Sequence, residues 1–241
     1  MLNAERSYLS EVPVSGPLQM YVYVHDAILR GVAGYEDRAK CLDRDDAVAV
    51  AKFAAELGWF HEMVKAHEKA EEAVLFPALN ERFAFVAETY AYDHDDFEPH
   101  VFAGLEEALA ALQRARGRGD RSEMGDLLYR QSVALHEHMR LHVSKENELL
   151  LPKLEAEFDL DEQVQIAAAM GGRFEPAMMG ALISWMYDGQ VEQDREGMIR
   201  FLMRVLPPPD FAKLAQLLAA KDTAAWAQIR RRVPEMQIST T

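Results

Sequence analysis

Two thirteen-residue phrases constrain this chain more than any other feature in it. "HEKAEEAVLFPAL" occupies positions 67–79 and "HVSKENELLLPKL" occupies 142–154, an offset of 75. Each carries His, then Glu four residues on, then Leu, an apolar residue, Pro and a final Leu at equal spacing. A separation of four puts the His and the Glu on one helix face, a turn apart. The duplication extends upstream, because "YVYVHDAI" holds His25 and "YAYDHDDF" holds His94, both as Tyr-x-Tyr-x-His-Asp. The chain therefore reads as a helical hairpin written twice.

The helix-period pattern supports this. Strand-like alternation is scarce, and Ala, Leu, Glu, Met and Arg dominate. A first helix is expected over about 17–39, with the stripe Leu18, Tyr21, His25, Ile28, Val32. A second runs from near Asp43 to Pro77, with Phe60, Val64, His67, Glu71 and Val74 inward. A third covers about 85–116, with Val86, Tyr90, His94, Phe97, Val101, Leu105 and Leu112 in phase. After "GRGD", Asp120 and Glu123 read as a capping box for a fourth helix. That helix carries Leu128, Gln131, Leu135, His138, His142, Glu146 and Leu149, and ends near Pro152. Four long helices with short connections predict an all-α, up-down-up-down four-helix bundle over residues 1–157. Residues 158–241 form a helical extension, expected to pack on the bundle or on a partner subunit, so that two copies could pair as a homodimer. Asp210 and Asp222 read as helix N-caps there.

Apolar spacing explains the repeated Leu and Pro. It does not explain imidazoles and carboxylates on the stripes that the same spacing buries. An isolated buried carboxylate costs several kcal/mol unless it is paired or bound to a metal. Here four helices each supply one inward His, and two add a Glu. His nitrogen and carboxylate oxygen in one cluster suit iron, manganese or zinc. The expected ligands are His25, His67, Glu71, His94, His142 and Glu146. Glu71 and Glu146 stand on different helices, where each could bridge two ions. Glu98, Glu68 and His138 are further candidates. His61 and His136, six residues before the ligand His in each repeat, turn away from that face.

Composition removes some partners. With 40 acidic against 26 basic residues the formal charge is −14, which a nucleic-acid backbone or an anionic membrane would repel. No uncharged apolar run has the length of a membrane span, and "MLNAERSYLSEVP" lacks the pattern of a signal peptide. Neither nucleic acid nor membrane is an expected partner, and a cytoplasmic location is expected. The single cysteine, Cys41, excludes an internal disulfide.

At residues 17–156 the sequence resembles the hemerythrin-like, or HHE cation-binding, domain family. The resemblance rests on His25, His67-x-x-x-Glu71, His94 and His142-x-x-x-Glu146 in order, and "HEKAEEAVLFPAL" is similar to that family's His-x-x-x-Glu-Glu-x-x-Leu-Phe-Pro segment. "HEKAE" is also similar to the His-Glu-x-x-Glu of an iron-sensing hemerythrin-like domain in a eukaryotic F-box protein, which is what makes Glu68 a candidate. The resemblance implies a non-haem centre of two iron ions, bridged by oxo or hydroxo and carboxylate groups. It implies binding or sensing of a small partner such as oxygen, nitric oxide or peroxide, or of iron itself. Two other readings are an oxidoreductase acting on peroxide or oxygen at that centre, and a helical interaction module whose metal site is structural. The sequence departs from oxygen-carrying hemerythrins on the third helix, where they place two His at i and i+4. Here Glu98 follows His94 at that spacing, and His100 lies six residues on. A poor reversible oxygen carrier is expected.

Overall fold

The computed structural model describes residues 16–190 and 192–237, with all side chains except those of 16, 19, 96–98, 192, 193 and 237. Among the described residues there is no strand. The chain divides into two compact units, residues 28–151 and residues 1–27 with 152–241.

The 28–151 unit holds the repeated hairpins. Helix α1 spans Gln19–Cys41, and its part from Ile28 onward belongs here. Helix α2 is Ala47–Ala70 and α3 is Phe76–Arg82. Short α4 covers Glu88–Tyr92, α5 covers Glu98–Arg114 and α6 covers Arg118–Lys145. Asp46 caps α2 by accepting from the Val48 and Ala49 amides, which satisfies two of the helix's orphan donors. The interior is aromatic between α1 and α2, where Tyr35 meets Phe53 edge-on with ring centres 5.6 Å apart. Helix α5 packs on both α2 and α6. Leu57, Phe60, Phe102, Leu105, Leu128, Leu135 and Met139 are fully buried there, each contributing roughly 1.5–3 kcal/mol over exposure.

Three π turns interrupt the long helices, at Glu71–Leu75, Asp93–Phe97 and Glu146–Leu150. Each ends two residues before a proline: Pro77, Pro99 and Pro152. A proline has no amide to donate to the carbonyl four residues back, and its ring collides with that carbonyl. Widening the preceding turn by one residue relieves the collision. Pro77 and Pro152 therefore do not end their helices, as the sequence pattern suggested. The chain continues as α3 and as α7 (Leu151–Glu157). The extra residue also moves the inward stripe by one position. Leu75 is fully buried where Val74 was expected, and Leu150 is fully buried while Leu149 is 56% exposed.

Other expectations fail at helix ends. Helix α6 starts at Arg118 with Gly117 as N-cap, so Asp120 and Glu123 form no capping box. Asp120 sits instead in the first turn, where its charge suits the helix dipole. The third helix begins at Glu88 rather than near Phe85. Asn80 Oδ1 accepts from the Ala87 amide at 3.1 Å, and Phe85 takes the left-handed region at φ 63°.

The other unit combines a 3-10 turn, Gly16–Leu18, and the start of α1 with the C-terminal helices. These are α8 (Leu160–Gly171), α9 (Pro176–Gly189), α10 (Glu192–Val205), α11 (Pro208–Lys221) and α12 (Thr223–Arg232). A capping box opens α8: Asp159 accepts from the Glu162 amide, and Glu162 accepts from the Asp159 amide, both at 2.9 Å. Asp222 caps α12 as expected. Asp210 does not cap α11, because the helix starts earlier, from Pro207, and leaves Asp210 in its first turn. Met186 and Met198 are core residues with Leu182, Ile183, Ile199 and Leu202. The Gly16–Leu18 turn packs on α8, and Gln190 Nε2 donates to the Tyr23 carbonyl at 3.5 Å. No helix among the described residues is long and apolar enough to cross a membrane.

Candidate metal centre

Five of the six expected ligands meet inside the 28–151 unit. His67 stands near the end of α2, and Glu71 opens the π turn that follows. His94 lies in the second π turn, His142 near the end of α6, and Glu146 opens the third π turn. Glu71 and Glu146 are wholly buried, and the three His residues are at most 6% exposed.

Contacts run through the group without a gap. His67 Nε2 lies 3.0 Å from Glu71 Oε1, and His94 Nε2 lies 3.4 Å from Glu71 Oε2. His94 Nε2 and His142 Nε2 are 3.2 Å apart. His142 Nε2 is 3.6 Å from Glu146 Oε2. One ligand atom from each of His94, His142 and Glu146 lies within 4.8 Å of the other two.

The far sides of two rings are fixed by carboxylates. His94 Nδ1 is 3.0 Å from Glu72 Oε1, and His142 Nδ1 is 3.1 Å from Asp93 Oδ2. A carboxylate accepts, so each Nδ1 carries the ring proton and each Nε2 presents a lone pair inward. Two lone pairs and two buried carboxylates then converge on one space, and a cation held there would offset their repulsion. The 3.2 Å spacing is that of two neighbouring nitrogens on one ion, with bonds of ~2.1 Å. These residues fit a metal ion of the iron, manganese or zinc kind.

Asp93 also takes a close ion pair from Lys145 at the same Oδ2. Burial raises the Asp93 pKa, but the hydrogen bonds from His142 and Lys145 outweigh it and hold the carboxyl at about 2. His138 stacks near His142 with ring centres 6.3 Å apart. Burial first, and then the neighbouring His142, push its pKa down to about 4. Tyr90 is buried, and its hydroxyl pKa is raised by burial and by Glu146 and Asp93. The Phe76 ring stacks on His94 at 5.4 Å and shields it from water.

His25 belongs to the other unit. It is fully buried on α1, with the Tyr21 ring edge-on at 4.3 Å. Tyr23 beside it is 1% exposed, and its hydroxyl pKa is raised by burial and by Asp194. Glu68 is buried on α2, with no hydrogen-bond partner for Oε1 among the described residues. The side chain of Glu98 lies outside the described residues. His100 is exposed, as its six-residue offset implies. His61 and His136 also turn away: His61 Nδ1 pairs with Glu106 at 2.9 Å, and His136 Nδ1 with Glu36 at 2.6 Å.

Sequence reasoning missed Glu72, Asp93 and Lys145. A carboxylate next to each ligand, in "EE" at 71–72 and "DH" at 93–94, was the available signal. Which imidazole each one would meet depends on cross-helix packing that periodicity does not encode.

Comparison with known proteins agrees with the geometry. The chain is similar to the zinc finger protein BRUTUS of Arabidopsis thaliana, 22% identical over 206 residues. That match covers 86% of this chain but 16% of BRUTUS, so the chain spans about a sixth of the length of that relative. No solved structure matches the chain. The family model for the hemerythrin HHE cation binding domain matches residues 17–154, the stretch that holds all six expected ligands, and the chain belongs to that family.

Proposed function

We propose that this protein holds two iron ions at the centre and uses them to bind or sense a small diatomic ligand or iron. One ion would be held by His94, His142 and Glu146, the other by His67 and Glu71. Each buried carboxylate is available to both ions. The observation that carries the reading is the pair of Nε2 atoms 3.2 Å apart, each on a ring whose Nδ1 faces a carboxylate. Imidazoles oriented in this way are preformed for a cation and disfavoured without one. Iron in such a donor set supplies one-electron chemistry and a position for an exogenous ligand. The chain supplies orientation, through Glu72 and Asp93, and a dry surround, through Phe76 and Tyr90.

The test is iron content with the visible spectrum of the full chain, before and after anaerobic reduction and readmission of oxygen. About two irons per chain and irreversible reoxidation by oxygen are expected, because Glu98 stands where carriers have a second His. One ion per chain, or zinc alone after growth in iron-replete medium, counts against the reading. A spectrum that reverts fully on degassing points to a carrier. Many turnovers of peroxide per site point to an oxidoreductase.

A further inference from the structure

The two carboxylates behind the imidazoles are not equivalent. Glu72 meets His94 Nδ1 at 3.0 Å, its side chain is 39% exposed, and no cation pairs with it among the described residues. Asp93 meets His142 Nδ1 at 3.1 Å through Oδ2, and Lys145 Nζ binds that same oxygen. Lys145 lies three residues after His142 on α6, with its ammonium 5.8 Å above the Tyr90 ring.

An imidazole that donates to a full anion passes electron density to its other nitrogen and becomes a stronger metal donor. An ammonium on the accepting oxygen withdraws part of that negative charge. We infer that Lys145 tunes the centre by sharing Asp93 Oδ2 with His142, making His142 a weaker donor than His94 to the ion that the two imidazoles share, and so loosening that ion. This rests on the metal reading above and specifies how that site is regulated. Lys145 is a positioning residue: it reaches the ion only through Asp93 and His142.

The sign of its effect separates this role from a structural one. A side chain that merely braces the fold loosens metal binding when it is removed. A side chain that drains Asp93 tightens binding. Removal of an outer partner typically changes metal affinity by about 10–100-fold. Glu72→Gln should weaken binding of the ion shared by His94 and His142 by that much. Lys145→Met keeps the stem and removes the charge, and should tighten binding of the same ion by up to about tenfold. Lys145→Arg, which keeps a charge, should resemble the parent.

The experiment is anaerobic competition between the full-length, metal-free protein and a ferrous chelator, with ferrous iron as the probe. It compares Lys145→Met in the parent and in an Asp93→Asn background. Tighter binding that disappears in the Asp93→Asn background supports the inference. Equal tightening in both backgrounds means that the charge acts through space and overturns it, as does weaker or unchanged binding. If Lys145→Met does not fold by circular dichroism, Lys145→Gln takes its place. A parent protein that takes up no iron refutes the metal reading itself, an outcome distinct from iron bound with equal affinity by parent and variant.

Discussion

Glu71 reaches His94 on a neighbouring helical segment: Oε2 lies 3.4 Å from His94 Nε2, while Oε1 stays 3.0 Å from His67 one turn back. One wholly buried carboxylate thereby touches imidazoles from both hairpins of the repeat. Such a contact is useful only if the anion is compensated, and the imidazoles alone do this partly at best.

Glu71→Ala should therefore lose metal and stability together. It leaves the facing imidazoles without the anion between them, and removing one partner of a buried charged site costs roughly 3–5 kcal/mol. Glu146→Ala should behave alike. Metal analysis and thermal unfolding of the purified variants give the comparison, and full iron content in either would contradict the ligand assignment.

His61 and His136 provide the control. Both are histidines of the same repeat, but each pairs with a carboxylate away from the centre. His136→Ala should cost about 1 kcal/mol or less, as partly exposed ion pairs do. His61 also stacks on Phe102 at 3.9 Å, so His61→Ala should cost about 0.5–1.5 kcal/mol more. Iron content should stay at the parent level in both.

Pro77→Ala tests the π turns. Alanine restores the amide and removes the ring that opposes an ordinary α turn. The α register then competes with the Glu71–Leu75 π turn. We expect weaker iron retention, with helix content and metal-free stability unchanged or higher. Unaltered iron affinity would mean that packing of Leu75 alone sets the turn.

Removing the extension tests its tie to the start of α1. Gln190 meets the Tyr23 carbonyl, and Tyr23 is 1% exposed beside His25. A chain ending at Glu157 should expose Leu18, Val22 and Tyr23, bind hydrophobic dye and aggregate. Light scattering and dye fluorescence read this out. A soluble monomer of unchanged stability would show that those residues need no cover.

The sequence by itself determined the helices and the faces that carry the inward His and Glu. A His on each of four stripes and a Glu one turn on in two of them are local facts, since a 3.6-residue period fixes which side chains share a face. His25, His67, Glu71, His94, His142 and Glu146 were legible as inward-facing residues for that reason, and all six are buried. The tertiary structure decided three further things. It kept the helices going through Pro77 and Pro152 by widening the turn before each, which moved the buried position from Val74 to Leu75 and from Leu149 to Leu150. It set Glu72 behind His94, and Asp93 with Lys145 behind His142. It grouped the first turns of α1 with the C-terminal helices. Each depends on contacts between residues distant in sequence or on a break in the helical period, and a rule built on that period cannot contain either.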